Sequence, residues 1–258
     1  MTNTSHSAAT ESNRHKSGVL TVIDADSDLD FLWRSARSVL GFRARAALNW
    51  LRKGHVVRQR AIAHYLAGEP NPRLHLGATV NIPGILNSQI LGDVPIDVTR
   101  PLPFPDRSLA LIYSSHLVEH IHRQEFHRFL AEGARVLRPG GLMLVAAPSI
   151  EKIARVTYGG DEWQRQLLMK RCGEYFHDNG VTTAHEMNLA MRAFGHRFLY
   201  DTAYMQWIAP RAGYAEVRNI GNFEVPDEGL RAYLHKWKPP RWDVQTETWA
   251  FVKANPGA

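Results

Sequence analysis

Residues 99–149, TRPLPFPDRSLALIYSSHLVEHIHRQEFHRFLAEGARVLRPGGLMLVAAPS, decide the fold. Leu109 to Ser114 is a short apolar run with the length of a buried strand. From Glu125 to Leu137, Phe126, Phe129, Leu130, Ala134 and Leu137 recur at helical spacing and make one apolar face. Arg135 and Arg138 sit near the helix end, where the dipole favours cations. Pro139-Gly140-Gly141 should then stop the helix in a turn. Leu142 to Ala147 is a second buried strand. Two strands joined by a helix form a parallel βαβ unit, and its crossover is expected to be right-handed.

Around this unit the composition is that of an ordinary globular chain, with 44% hydrophobic residues in 258. A single cysteine, Cys172, excludes an internal disulfide or a cysteine-based zinc cluster. The first residues, MTNTSHSAATESNRHK, have no apolar core of a secretory signal, and no apolar run is long enough for a membrane span. A cytoplasmic location is the expectation.

The net charge of +6 is uneven. Arg34, Arg37, Arg43, Arg45, Arg52, Lys53, Arg58 and Arg60 fall within residues 31–68, which hold no acid, so the rest of the chain is slightly acidic. Residues 1–18 are polar and read as a disordered tail, and residues 19–68 as a basic helical arm. Such an arm packs its apolar stripe and solvates its arginines, or contacts an anionic surface through residues 34–60. The basic arm belongs to one segment, which weakens a nucleic-acid reading drawn from overall charge.

The strand and loop motifs carry a resemblance. PLPFPDRSLALIYSSHLVEHI followed by RVLRPGG resembles the region around the fourth and fifth strands of class I S-adenosylmethionine (SAM) dependent methyltransferases, type 11-like, a family often linked to polysaccharide or small-molecule pathways. RLHLGATVNIPGILNSQI, residues 73–90, is similar to that family's first strand, glycine loop and second strand. The similarity runs from about Leu74 to Lys253. It implies an α/β, Rossmann-like sandwich over residues 69–258, with a seven-stranded, mostly parallel sheet in the order 3-2-1-4-5-7-6 and an antiparallel last strand. Val94–Val98 would be strand 3, Ala215–Ile220 strand 6 and Thr248–Lys253 strand 7. It also implies SAM as cofactor, held by Leu76, Gly77, Ala78, Gln89, Asp97, Val98, Ser114 and Ser115. Departures are clear: Ala78 and Thr79 replace a Cys-Gly pair, Gln89 replaces an acid that would bind both ribose hydroxyls, and Ala110 replaces a loop Asp.

His116, at the carboxyl end of the Leu109–Ser114 strand, is the first candidate for a general base, with Glu119 beside it. Residues 150–198 read as a substrate lid rich in aromatics, in which His177 is a further catalytic candidate and His185 an alternative base. His120, His122 and His127 do not share a helical face, so no metal site is expected. Asp201 should cap a helix through Ala212, and residues 221–247 read as a polar loop that closes over substrate or contacts a second copy. Seven residues between Gly77 and Ile85 are too few for a crossover helix, since such crossovers take about a dozen. One sheet face is then thinly covered, and the basic helices are the expected cover. The function expected is methyl transfer to a hydroxyl, less readily an amine, of a small molecule or glycan. A catalytically retired subunit of the same fold, a homodimer, and a nucleic-acid methyltransferase stay open.

Overall fold

The computed structural model describes residues 41, 44, 45, 48, 49, 51, 55–78, 80–159, 162–176, 181–221, 224–237 and 245–255. Residues 1–44 and 45–258 separate into two compact units, and all that follows concerns the second. Residues 1–18, most of residues 19–68 and His177, each given an expectation above, lie outside the described residues. No described helix is long and apolar enough to cross a membrane.

A six-stranded sheet organises the unit, in the order β2-β1-β3-β4-β6-β5. The strands are β1 (Arg73–Leu76), β2 (Leu86–Ser88), β3 (Leu109–Ser115), β4 (Leu137–Pro148), β5 (Tyr214–Ile220) and β6 (Thr246–Lys253). β2, β1, β3 and β4 run parallel, and β6 is antiparallel to both β4 and β5. This is the expected order without its outermost strand. Val94–Val98 forms no strand. Val94, Ile96 and Val98 are buried as a strand's alternate residues would be. The backbone, however, has no ladder: Pro95 lacks an N–H, and the Ser88 hydroxyl takes the Val94 carbonyl at 2.7 Å.

The βαβ unit forms as its sequence dictates, with α2 over Arg123–Val136. Phe126, Phe129, Leu130 and Ala134 are buried on one stripe against the sheet. The Pro-Gly-Gly segment does not sit in a free turn but inside β4, as a bulge: Leu109 pairs with Leu137 and Leu111 already with Leu142. Gly140 takes φ +71, and a Cβ on Gly141 would lie 2.9 Å from the Arg138 carbonyl. The helix therefore passes straight into strand with no connecting loop.

Both sheet faces are covered. The larger core joins α2 with Met205 and Ile208 of α6 (Thr202–Ile208), and it takes in Ile62 from α1, the helical residues 55–68. The opposite face lies under the short β1–β2 crossover, in which no described residue is helical. Ile82 and Ile85 of that crossover pack there with Val225, Leu230 and Leu234. The cover thus comes from α7 (Glu228–Trp237), and not from the described part of the basic arm. The stretch 221–247 accordingly holds a helix where a polar loop was expected. Asp227 caps it by accepting the Leu230 N–H at 2.8 Å and anchors it to β1 by an ion pair with Arg73 at 3.0 Å. On α1, Arg58 is buried, contrary to the reading of a uniformly solvated basic face.

The insertion is helical: α3 (Ile150–Gly159), α4 (Glu162–Phe176) and α5 (Thr183–Arg192) pack through small apolar contacts such as Val156 with Leu168 and Cys172 with Leu189. Tyr158 and Trp163 are exposed rather than lining a cavity. The chain returns through a bridge between Tyr200 and Ser149, and Asp201 caps α6 by accepting the Tyr204 N–H at 2.7 Å.

The Pro-rich lead into β3 is clamped to α2. The Glu132 carboxylate accepts the Leu102 N–H at 2.7 Å, and Arg135 donates to Glu132, Asp106 and the carbonyls of Leu102 and Phe104. Arg135 above all, then the Leu102 N–H, holds the Glu132 carboxyl below the usual carboxylate range, against the cost of burial. A carboxyl whose folded value is lowered stabilises the fold fully above its unfolded pKa of about 4.3, and this contribution is lost as pH falls through the folded value. Urea midpoints measured below pH ~4.3 should therefore fall less steeply for Glu132→Gln than for the wild type. Parallel acid profiles would remove the clamp from the acid response.

Candidate active site at the carboxyl ends of the parallel strands

Register brings the expected site residues together. Leu76 pairs with Ser88 on one side and with Ser114 on the other, so β1, β2 and β3 end level. Gly77 follows β1 with φ +73, and a Cβ there would meet Leu117 Cδ1 at 2.8 Å. The positive φ favours glycine here, and any larger residue would also have to displace the Leu117 side chain. Ala78 is buried, its N–H donating to the Ser88 carbonyl at 3.1 Å. Gln89 is exposed, and its side chain makes no hydrogen bond among the described residues. Ser114 is buried with its hydroxyl lacking a partner among the described residues. Ser115 hydrogen-bonds Tyr113, whose phenol burial pushes up to about 12. Thr79 lies outside the described residues.

Gly77 with its left-handed backbone, the exposed Gln89 amide and the Ser114 hydroxyl, which has no partner among the described residues, are the groups that could hold a cofactor here. Asp97 fits less well. Its carboxylate already accepts the Thr99 N–H and hydroxyl, at 3.0 and 2.7 Å, and pairs with Arg100 at 3.2 Å. It serves its own turn, and Val98 beside it is buried in the larger core.

The reactive group candidate stands at the end of β3. His116 has φ +50, a left-handed conformation that His adopts more readily than most residues. Its N–H extends the β3–β4 ladder by donating to the Ala146 carbonyl at 2.8 Å. Its Nδ1 lies 3.0 Å from Glu119 Oε1, and its Nε2 lies 3.2 Å from the Thr246 hydroxyl of β6. Glu119, in the short helical turn Val118–His120, is fully buried, and its second oxygen, Oε2, has no hydrogen-bond partner among the described residues. With the carboxylate accepting at Nδ1–H, His116 presents Nε2 as the basic nitrogen.

His185 does other work. Its Nδ1 accepts the Thr182 N–H at 3.1 Å, the reciprocal half of the α5 cap. His122 caps α2 and contacts Arg197.

His196 was not legible in the sequence. Phe194 and Gly195 both adopt positive φ, and the N–H groups of Arg197 and Phe198 then donate to the Glu119 carbonyl at 2.7 and 3.4 Å. This return places the His196 ring 5.0 Å from that of His120, edge to face. Burial holds His120 below its ordinary value, Glu119 opposes that, and His196 adds to it. Tyr200 is also buried here, its hydroxyl without a hydrogen-bond partner among the described residues, and its pKa is raised by burial first and by Tyr204 and Glu119 after.

Residues 84–145 match the methyltransferase domain family. No curated protein matches the chain. Among solved structures, a SAM dependent methyltransferase from Archaeoglobus fulgidus is 13% identical, with 77% of this chain and 93% of that one covered at a TM-score of 0.40. An S-adenosylmethionine dependent methyltransferase from Mesorhizobium loti is 12% identical, covering 74% and 96% at 0.40. Haemonchus contortus phosphoethanolamine N-methyltransferase 2, solved with S-adenosyl-L-methionine, is 12% identical, covering 79% of this chain and 53% of that chain at 0.40.

Proposed function

We propose that this chain, in which residues 84–145 match the methyltransferase domain family, is a SAM-dependent enzyme that methylates a hydroxyl of a small molecule or glycan. The observation that carries this reading is His116, fixed at the mouth of the parallel strands by a buried carboxylate 3.0 Å from its Nδ1. Bound SAM supplies an electrophilic methyl group on a sulfonium. The chain supplies the rest. Gly77, Ala78, Gln89, Val98, Ser114 and Ser115 would hold the cofactor. Glu119 orients His116, and Nε2 receives the proton as the acceptor oxygen attacks. The Thr246 hydroxyl steadies the ring until an acceptor hydroxyl competes for Nε2. Displacement at a methyl carbon needs in-line approach above all, and orientation of this kind can contribute roughly 7–11 kcal/mol in ideal cases. The helices of residues 150–198 are the proposed lid.

A second reading, an interaction subunit that has lost its cofactor, draws on Asp97 being committed to its turn. A thermal melt decides between them. SAM or S-adenosylhomocysteine at 100 times its dissociation constant should add about 2.7 kcal/mol, a rise of roughly 5–10 °C. No shift at millimolar ligand would leave the subunit reading.

A further inference from the structure

We propose that Glu119, His120 and His196 form a binding site for a divalent transition-metal ion, with Zn(II) as the best match. One ligand atom from each residue lies within 4.8 Å of the others. Ligand atoms about 2.0–2.2 Å from a tetrahedral zinc sit roughly 3.3–3.5 Å apart, so an ion closes the set by side-chain adjustments of about 1 Å. Two imidazoles and a carboxylate are the donor set of zinc sites that keep a position open.

Three further observations agree. First, Glu119 is fully buried, yet Oε2 has no hydrogen-bond partner among the described residues. A buried carboxylate short of donors is costly and a cation beside it offsets that cost; the Oε1 of this carboxylate lies 4.0 Å from His120 Nε2. Second, the His196 ring donates Nδ1–H to the Ala190 carbonyl at 2.6 Å, which leaves the Nε2 lone pair for a ligand. A backbone carbonyl behind a metal-binding imidazole is the usual outer-shell arrangement. Third, the backbone locks the pair in place, because the residues directly after His196 are hydrogen-bonded to the Glu119 carbonyl. His120 and His196 are half-buried, so an ion can reach them from solvent.

An ion here would stand beside His116, which shares Glu119 with it. Its open position would suit an acceptor oxygen, whose acidity a Lewis acid raises. The proposal itself does not depend on methyl transfer, because its readout is metal uptake.

The test uses the full chain, freed of metal by a chelator and titrated with Zn(II) against a chromophoric chelator, then separately with Co(II). One equivalent should bind tightly, with the visible bands of low-coordinate Co(II). His196→Gln, at a half-buried position, should weaken Zn(II) binding by about 100-fold or more, beyond the roughly 10–100-fold seen for outer-shell changes. His120→Gln should do the same, and circular dichroism confirms that both variants fold. His127→Gln, on α2, should bind as the wild type does and measures background uptake by other histidines. Absence of stoichiometric uptake overturns the proposal. So does wild-type affinity in folded His196→Gln and His120→Gln, since the ion would then be held elsewhere.

Discussion

Replacing His116 with alanine is expected to slow methyl transfer by about 100-fold or more while leaving SAM affinity within about twofold, since general-base groups contribute roughly 10²–10⁴-fold. On the proposed function the two effects separate, because the imidazole there serves the acceptor and not the cofactor. Its Nδ1 is committed to Glu119, and its Nε2 faces Thr246. Glu119→Gln should lose part of the same rate, because the amide can still accept from Nδ1–H but brings no negative charge to stabilise the protonated ring. Single-turnover rates with saturating SAM, alongside calorimetric SAM titration, give both numbers. Unchanged turnover in the alanine variant would remove His116 from the chemistry and leave positioning of the acceptor as its source.

Trp249→Ala should be the most damaging single change to the fold, at about 3–5 kcal/mol. Trp249 is fully buried on β6, which is hydrogen-bonded to β4 on one side and β5 on the other. Its indole N–H donates to the Thr202 hydroxyl at 3.2 Å and ties the strand to the start of α6. Truncation leaves a cavity under three elements, while the Thr202 hydroxyl keeps its bonds to Glu151 and Asn219. Against a typical stability of about 5–15 kcal/mol, a loss of that size is readable as a large drop in the urea midpoint. Trp249→Phe should cost far less, because it keeps most of the volume. A loss under about 1 kcal/mol for the alanine variant would show that the site collapses freely.

Periodicity and register explain what could be read from the sequence. The apolar stripe of α2 and the short runs of β3 and β4 are local signals, and the fold follows them. The residue count between Gly77 and Ile85 correctly excluded a crossover helix, because chain length is a hard limit. Val94–Val98 misled through its alternation: burial of alternate residues does not require a partner strand, and Pro95 was the available counter-signal. Helix α7 was missed although Leu230, Leu234 and the Asp227 cap stood at helical spacing, because the flanking prolines and tryptophans drew the reading toward a loop. At the candidate site, Gly77 and Gln89, named by the resemblance, and His116, named from the end of its strand, directly follow β1, β2 and β3. The position of His196 did not. It depends on two positive-φ residues and a hydrogen bond to a carbonyl far away in the chain, and no pattern in sequence encodes such a contact.

The missing outer strand also bears on how copies of this chain can meet. One side of the sheet ends in β2, three residues long and followed by the proline-interrupted stretch 94–98. Such a rim offers little unpaired backbone for another chain to copy. The opposite rim is β5, seven residues long and largely exposed. It is the natural template for strand addition, and it carries a Glu216–Arg218 ion pair along its length. Aggregation of a partly unfolded population should therefore start at the β5 rim, and removing those two charges should speed it, whereas changes at β2 should leave it unaltered.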